Sequence, residues 1–212
     1  MDDDGCVSRR IPSLAVLAAG YVAGAVPFAN IAARRRAGID LRSHGTGTVS
    51  GTGLYEVAGF APLAAFGVLE VAKGAVGPLL AGRRRPGLAA VAGGVAVTGH
   101  NWSPFLGGSG GRGISPAVGA LLVNAWPGGL LLLAGLGAGR LAGETALGSF
   151  AADMALVPVV SRTHGRRGAL TGLAVLVPLI VKRLAGNGAP PDGWNSRALW
   201  RRLLFDADAR VQ

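Results

Sequence analysis

The sequence predicts an all-α, polytopic integral membrane protein with five to seven transmembrane helices and cytoplasmic glycine-rich loops. Half of its 212 residues are hydrophobic, only 15% are charged and the mean hydropathy is +0.43. This composition is too apolar for an ordinary soluble domain of this size. Several apolar runs reach the length that crosses a bilayer, and arginine clusters or polar loops separate them. We therefore expect one membrane domain over residues 1–212.

The chain is strongly basic, with a formal net charge of +10. Such a charge favours contact with anionic lipid headgroups and anionic substrates. A nucleic-acid-binding module can be equally basic, but it does not carry so many runs of spanning length, so we expect no nucleic-acid partner. The single cysteine, Cys6, excludes an internal disulfide and a cysteine-only metal site. We expect neither a cofactor nor a metal.

The first predicted span is an apolar run at residues 11–33, which follows a short polar lead at residues 1–10. A cleaved signal peptide is the competing interpretation. However, the run is too long for the hydrophobic part of a signal peptide, and the cluster Arg34–Arg36 follows it directly. The arginines predict a cytoplasmic end for this helix and an N-terminus outside.

The second apolar run, residues 54–81, follows a polar loop at 38–53 and contains Glu56, Glu70 and Lys73. Ionisable groups at membrane depth are costly unless they are paired or face a polar cavity. Glu70 and Lys73 lie three residues apart on one helix face, so they can form a local ion pair. In the alternative interpretation, Lys73 faces a substrate.

Arginines 83–85 end the second run, and residues 87–98 form a third. If the glycine-rich loops at 38–53 and 107–113 are both cytoplasmic, simple alternation of the spans leaves this arginine cluster outside. That placement is against the positive-inside rule. Further apolar runs lie at residues 114–139, 141–160 and 168–181. Trp126 and Pro127 divide the first of these, which is either one long helix or two short pieces.

The tail at residues 182–212 is basic and contains Trp194 and Trp200. Aromatic rings among arginines are typical of segments that lie in the membrane interface. The tail is therefore predicted to be an interfacial segment on the cytoplasmic surface.

The loop between the third and fourth runs, at residues 107–113, contains five glycines and one arginine, Arg112. Glycine allows tight turns that can point several backbone N–H groups at one spot, and a helix beginning at Ile114 would add its positive end there. The pattern therefore indicates an anion cradle, although a plain glycine turn between helices is the alternative. A nucleotide-binding P-loop fits poorly, because GxxxxGK[ST] is absent and no strand precedes the loop.

Three motifs in this order resemble those of the bacterial acyl-phosphate:glycerol-3-phosphate acyltransferases. GIDLRSHGTGTVSGTGLYEVAG (38–59) resembles the signature G-x-D-[IL]-R-x-x-G-S-G-N-x-G-A-T-N-x-x-R-x-x-G. LEVAKG (69–74) resembles D-x-x-K-G, and GHNWSPFLGGSGGRG (99–113) resembles G-H-x-F-P-x-F-x-x-F-K-G-G-K-G. Their order, spacing and membrane setting agree over the first two thirds of the chain.

The resemblance implies a cell-membrane enzyme that moves a fatty acyl group from acyl-phosphate to the 1-hydroxyl of glycerol 3-phosphate. The product is lysophosphatidic acid for phospholipid synthesis. By position, the resemblance assigns Thr46 and His100 as catalytic, with Thr46 in place of the family's serine. His100 could instead only hydrogen-bond the loop backbone. The implied substrate-binding residues are Arg42, Ser50, Lys73, Gly107, Gly108, Ser109, Gly110, Gly111, Arg112 and Gly113.

An acyl-phosphate is already activated, so a clamp of cations that aligns the hydroxyl could suffice without a covalent intermediate. Arg42, Lys73 and Arg112 would form that clamp, and Arg112 replaces a lysine of the family loop.

The chain also departs from the family pattern. The departures in the first motifs include Thr48 for asparagine, Glu56 for arginine, Glu70 for aspartate and Ser109 for lysine. The C-terminal signature R-H-x-x-N-I-x-R-L-x-x-G-x-E keeps Arg183 and Leu184, but Ile180 and Gly188 replace its asparagine and glutamate and the histidine is lost. An inactive or respecialised homologue that binds lipid or phosphate is therefore an alternative. A small transporter is disfavoured, because the polar residues gather in loops at one side.

Overall fold

The computed structural model describes residues 11–190 and 193–205, and the regular elements in this part of the chain are helices, as predicted. The polar lead at 1–10 and the end of the tail at 206–212 lie outside the described residues. The α-helices are α1 (Ser13–Ala25), α2 (Phe28–Ala37), α3 (Gly51–Ala58), α4 (Phe60–Ala81), α5 (Pro86–Asn101), α6 (Ile114–Asn124), α7 (Trp126–Leu141), α8 (Thr145–Ala185) and α9 (Ser196–Phe205). Short 3₁₀ helices lie at Leu41–Ser43 and Pro104–Leu106.

The predicted first span is a broken helix. Val26 is extended, with φ −61° and ψ 119°, and Pro27 precedes α2, so α1 and α2 are separate helices in one apolar stretch. α2 ends at Gly38, whose φ of 70° suits glycine. Arg34–Arg36 occupy its last turn, where positive charge complements the helix dipole.

The stretch Thr145–Ala185 is a hairpin of two helices. Gly165 has φ 56° and ψ −142°, which breaks the helix. A Cβ added at Gly172 would touch Val157 and Val160, although residues 157 and 172 of a straight helix would be about 22 Å apart. At the other end, Arg183 donates to Ala146 O over 3.2 Å. The two arms correspond to the runs predicted at 141–160 and 168–181.

Trp126 and Pro127 begin a new helix, so the fourth apolar run is two short pieces. Ala125 interrupts the helix between α6 and α7. α7 then folds back along α6, because a Cβ added at Gly129 would contact Leu122 and the Val118 carbonyl. This outcome decides between the two alternatives that the sequence left open.

Among the described residues, three helical stretches are long and apolar enough to cross a membrane: Ser13–Ala37, Phe60–Ala81 and Thr145–Ala185. Glycines let the helices approach closely, as is common in membrane proteins. An added Cβ would strike the backbone of the neighbouring helix at three such crossings: Gly24 against Ala96, Gly74 against Pro116 and Gly94 against Ala174. Large apolar side chains such as Leu14, Phe60 and Val68 face outward.

The polar parts of the chain lie at two opposite ends of the bundle. At one end, Arg85 donates to Ile11 O over 2.7 Å and to Ala81 O over 3.0 Å. This joins the start of α1 to the end of α4. At the other end the two glycine-rich loops meet, with Val49 N donating to Gly110 O over 3.3 Å. The second arm of α8 and α9 also finish there.

Candidate active site

The first glycine loop (residues 44–50) and the second glycine loop (residues 107–113) form one layer over the end of α5. Val49 N donates to Gly110 O. A Cβ at Gly111 would collide with the His100 ring and the Val49 carbonyl, and one at Gly110 would collide with the carbonyls of His100 and Asn101. Glycine is thus required at both positions because two backbones and a ring approach there.

The backbone N–H groups of residues 107–111 all donate within the protein. Their acceptors are Pro104 O, Ser103 O, Leu106 O, the Asn187 Oδ1 atom and His100 O, in chain order. The predicted cradle of convergent N–H groups is therefore wrong for this part of the loop. Its glycines provide turns, with positive φ at Gly107 and Gly108, instead of donors. The helix expected after the loop does begin at Ile114, with its positive end beside Gly113.

A cluster of three buried ionisable side chains lies beneath the loops. Lys73 Nζ is 2.8 Å from Glu70 Oε2 and 2.9 Å from His100 Nδ1, and His100 Nδ1 is 3.4 Å from Glu70 Oε2. The exposed fractions of these residues are 5% for Glu70, 3% for Lys73 and 8% for His100. The ion pair that the sequence offered as one of two interpretations is confirmed.

This ion pair bridges the break in the first span. Lys73 Nζ donates to Val26 O over 2.7 Å at the end of α1, and Glu70 Oε1 accepts from Ala29 N over 2.9 Å at the start of α2. The last carbonyls and the first N–H groups of a helix lack partners within it, and they carry partial negative and positive charge respectively. An ammonium and a carboxylate satisfy both helix ends. The role of Lys73 as a substrate ligand stays a prediction.

The opposite edge of His100 faces the second glycine loop. Gly111 is the residue directly beside its Nε2 atom, and Gly111 N donates to the His100 carbonyl over 3.3 Å. The ring is thus held from below through Nδ1 by the ion pair and covered from above by the loop. The loop thus bonds the backbone of His100, whereas the hydrogen bond of the His100 ring runs to Lys73. Its catalytic role and its side-chain bond to the loop backbone both stay predictions.

Two further cations lie where the second glycine loop meets the end of α8. Arg112 Nη1 donates to Lys182 O over 3.2 Å. Lys182 is 1% exposed, and its Nζ lies 5.2 Å from the centroid of the Trp102 ring, which is a cation–π contact. The α8 end therefore adds Lys182 to the predicted cations at this site.

Arg42 lies at the rim and connects the segment before the first glycine loop to the second loop. Its Nη2 is 2.7 Å from Asp40 Oδ2, and its Nη1 donates to Leu106 O over 3.3 Å. The hydrogen bond from Arg42 lowers the pKa of Asp40 from 3.8 to about 2. Of the predicted hydroxyls, Thr46 is exposed on the first loop, whereas Ser50 Oγ accepts from Gly53 N over 3.1 Å and caps α3.

The sequence analysis missed Asn187, which holds the two glycine loops together. Its Nδ2 donates to Gly110 O over 3.1 Å and to Gly47 O over 3.3 Å, and its Oδ1 accepts from Lys182 Nζ over 2.7 Å. One carboxamide thus joins both loops to the end of α8. The only sequence signal was an asparagine between two glycines, which predicts a turn and no more.

In the part of the chain that the structure describes, no group of three or more histidine, cysteine, aspartate or glutamate side chains is arranged to hold a metal ion. The side chains at the site carry guanidinium, ammonium, imidazole, carboxylate and hydroxyl groups. The cationic and hydroxyl groups among them bind and orient anions, and an imidazole can also accept or donate a proton.

Comparison with known proteins gives consistent results. A family model described as glycerol-3-phosphate acyltransferase matches residues 14–187. The glycerol-3-phosphate acyltransferase of Synechococcus sp. (strain CC9902) is 32% identical over 209 residues, covering 95% of this chain and 96% of that protein. Glycerol-3-phosphate acyltransferase 4 of Dehalococcoides mccartyi (strain CBDB1) is 33% identical over 210 residues, covering 93% of this chain and 90% of that protein.

The fold also matches a solved structure. The crystal structure of PlsY, an integral membrane glycerol 3-phosphate acyltransferase, in its glycerol 3-phosphate form superposes with a TM-score of 0.74. The match covers 94% of this chain and 96% of that chain at 21% identity.

Proposed function

Because this chain belongs to the glycerol-3-phosphate acyltransferase family, we propose that its acyl donor is an acyl-phosphate and that its site is formed by the two joined glycine loops. The protein is an integral membrane glycerol-3-phosphate acyltransferase that produces lysophosphatidic acid for phospholipid synthesis. The observation that carries the proposed site is the junction at Asn187, which joins both loops to the cation-bearing end of α8.

The proposed reaction needs little covalent chemistry from the protein. The 1-hydroxyl oxygen of glycerol 3-phosphate attacks the acyl carbonyl carbon, the bond from that carbon to the phosphate oxygen breaks, and inorganic phosphate leaves. The departing phosphate takes up the hydroxyl proton. Both substrates carry phosphate, so the site must supply cations and hold the hydroxyl in line with the carbonyl.

The roles we propose follow from position. Arg112, within the second glycine loop beside the end of α8, and Arg42, which donates to Leu106 just before that loop, bind phosphate oxygens. His100 lies between the Glu70–Lys73 pair at its Nδ1 edge and Gly111 at its Nε2 edge, so it acts by holding the second glycine loop in position. Lys73 acts on the substrate through His100 and through the electrostatic field of the cluster. Thr46, exposed on the first loop, offers a hydroxyl to the attacking group.

The donor is tested with purified protein. We expect lysophosphatidic acid from acyl-phosphate and glycerol 3-phosphate, and no more than a background rate when an acyl thioester replaces the acyl-phosphate. Equal rates with the thioester would overturn the choice of donor. Retained glycerol 3-phosphate binding without turnover from any donor would instead identify an inactive homologue, as the altered C-terminal signature allows.

We also propose seven membrane-crossing segments, with the glycine loops facing the cytoplasm. The segments are the broken α1–α2 pair, α4, α5, α6, α7 and the two arms of α8. The connections between successive segments alternate between the two ends of the bundle. This topology puts the arginines at 83–85 outside, together with the start of α1. In a Cys6→Ser background, Thr46→Cys should react with a membrane-impermeant maleimide only from the cytoplasmic side. Arg84→Cys should react only from outside, and the reverse pattern would invert the topology.

A further inference from the structure

Helix α9 (Ser196–Phe205) follows the part of the chain that the family model matches, which ends at residue 187. It is nevertheless firmly attached to the bundle. Arg202 is 2% exposed, and its Nη1 donates to Leu184 O over 3.0 Å and to Ala185 O over 2.8 Å. These carbonyls belong to the last turn of α8, where they lack helical partners and attract a cation. A buried guanidinium therefore binds the inner face of α9 to the site end of the bundle.

A second buried arginine binds the residue that follows Arg202, in the same C-terminal half of the helix. Arg183 Nη1 donates to Leu203 O over 3.0 Å, and its Nη2 donates to Ser149 Oγ over 2.8 Å. The α9 backbone is thus joined to both arms of the α8 hairpin. With Arg202 and the neighbouring Leu203 both attached, the fold sets which side of α9 faces away from the bundle.

The outer face combines aromatic and basic side chains. Arg197, Trp200 and Arg201 lie at positions i, i+3 and i+4, so they share one side of the helix. All three are exposed, Trp200 to 61%, and Trp194 just before the helix is exposed to the same extent. Large exposed aromatic rings beside arginines fit the boundary between hydrocarbon and headgroups better than they fit bulk water.

The position of the helix suits that boundary. α9 lies at the end of the bundle that carries the glycine loops, beside the C-terminal end of a membrane-crossing arm. The last turn of α2 adds Arg34–Arg36, which are exposed at this end too. This end of the protein therefore presents exposed positive charge both on α9 and at the end of α2, and such charge attracts anionic lipid headgroups.

We propose that the outer face of α9 docks on anionic lipid headgroups of the bilayer leaflet that borders the site. The indole ring of Trp200 lies at headgroup depth, and Arg197 and Arg201 bind the lipid phosphates. The Trp194 ring instead stacks on the inner Arg202, with 5.2 Å from the guanidinium carbon to the ring centroid. Two surface arginines give a preference for anionic over zwitterionic lipid of about thirty-fold, which corresponds to about 2 kcal/mol. The helix is thereby an anchor to the membrane surface, separate from the residues that bind substrate.

The test measures hydrogen exchange of the peptide covering residues 196–205 in lipid nanodiscs, so it does not depend on turnover. We compare purely zwitterionic phosphatidylcholine with the same lipid containing phosphatidylglycerol. The expected result is slower exchange of this peptide in the anionic discs, by up to about thirty-fold, with the difference mostly lost in 1 M salt, where the screening length falls to about 3 Å.

The variant Arg197→Gln with Arg201→Gln should abolish the difference between the two lipids, since it neutralises exposed side chains and leaves the inner arginines intact. The matched control, Arg83→Gln with Arg84→Gln, neutralises two arginines at the opposite end and should preserve the difference. Equal exchange in both lipids would overturn the proposal in favour of docking through tryptophan alone. A lipid preference that survives Arg197→Gln with Arg201→Gln would assign it to other residues and would also overturn the proposal.

Discussion

The substitution Lys73→Met tests whether the buried ion pair holds the break in the first span. It removes the ammonium that lies 2.8 Å from Glu70 Oε2 and donates to Val26 O over 2.7 Å. It leaves a carboxylate that is only 5% exposed and a helix-end carbonyl without its donor. Removal of one partner from a buried ion pair costs about 3–5 kcal/mol, and an unsatisfied carbonyl costs about 1–3 kcal/mol.

The two costs share one side chain, so they do not simply add. We expect Lys73→Met to lower the free energy of unfolding by about 3–5 kcal/mol. The matched variant is Glu70→Gln with Lys73→Met, which removes the unpaired charge but keeps an amide oxygen for Ala29 N. Its loss of unfolding free energy should be only about 1–3 kcal/mol, the cost of the missing donor to Val26 O.

The assay is urea unfolding in detergent micelles, followed by tryptophan fluorescence, with turnover measured on the same samples. If the double variant regains both stability and turnover, Lys73 is structural and the phosphate clamp consists of Arg42 and Arg112. Regained stability without turnover would show that Lys73 also acts on the substrate. If the unfolding free energy of Lys73→Met lies within about 1 kcal/mol of the wild-type value, the ion pair does not hold the helix break. A buried carboxylate without its partner should cost more than that.

Three further predictions concern the loops. Arg112→Ala should lower kcat/KM for glycerol 3-phosphate about 10- to 150-fold, the loss of one charge-assisted contact, and Arg112→Lys should keep much of the activity; equal activity in Arg112→Ala would remove this residue from the clamp. Gly111→Ala should abolish turnover while the protein remains folded by circular dichroism, because the added methyl collides with the His100 ring and the Val49 carbonyl; normal turnover would mean that the loops are not packed as described. Asn187→Ala should raise KM for glycerol 3-phosphate more than it lowers kcat. The substitution removes the hydrogen bonds that join the two loops but leaves Arg42 and Arg112 in place. An unchanged KM would count against a role of Asn187 in joining the loops.

The sequence was sufficient to predict the helical class and one possible partner for Lys73. Periodic apolar runs and ordered motifs contain that information, because they reflect local composition and spacing. The runs at 141–160 and 168–181 were even separated correctly, although Gly165 alone gave little sign that they form a hairpin.

What the sequence could not supply depends on contacts between distant segments. Glycine permits an anion cradle or a tight turn equally well. The acceptors in residues 100–106 and the side chain of Asn187 decide that the N–H groups of residues 107–111 are used within the protein. Asn187 lies about 140 residues from Gly47, so no local pattern could associate them. The bridging of α1 and α2 by Glu70 and Lys73 likewise becomes visible only when three helices are placed together.

In the proposed site, the two glycine loops hold the phosphate of glycerol 3-phosphate as one unit. We would measure hydrogen exchange of peptides covering residues 44–50 and 107–113, with and without saturating glycerol 3-phosphate. We predict that both loops exchange more slowly with this substrate, that glycerol without phosphate has no such effect, and that Arg112→Ala loses the protection of both loops together. Protection of only one loop, or equal protection by glycerol, would contradict the claim.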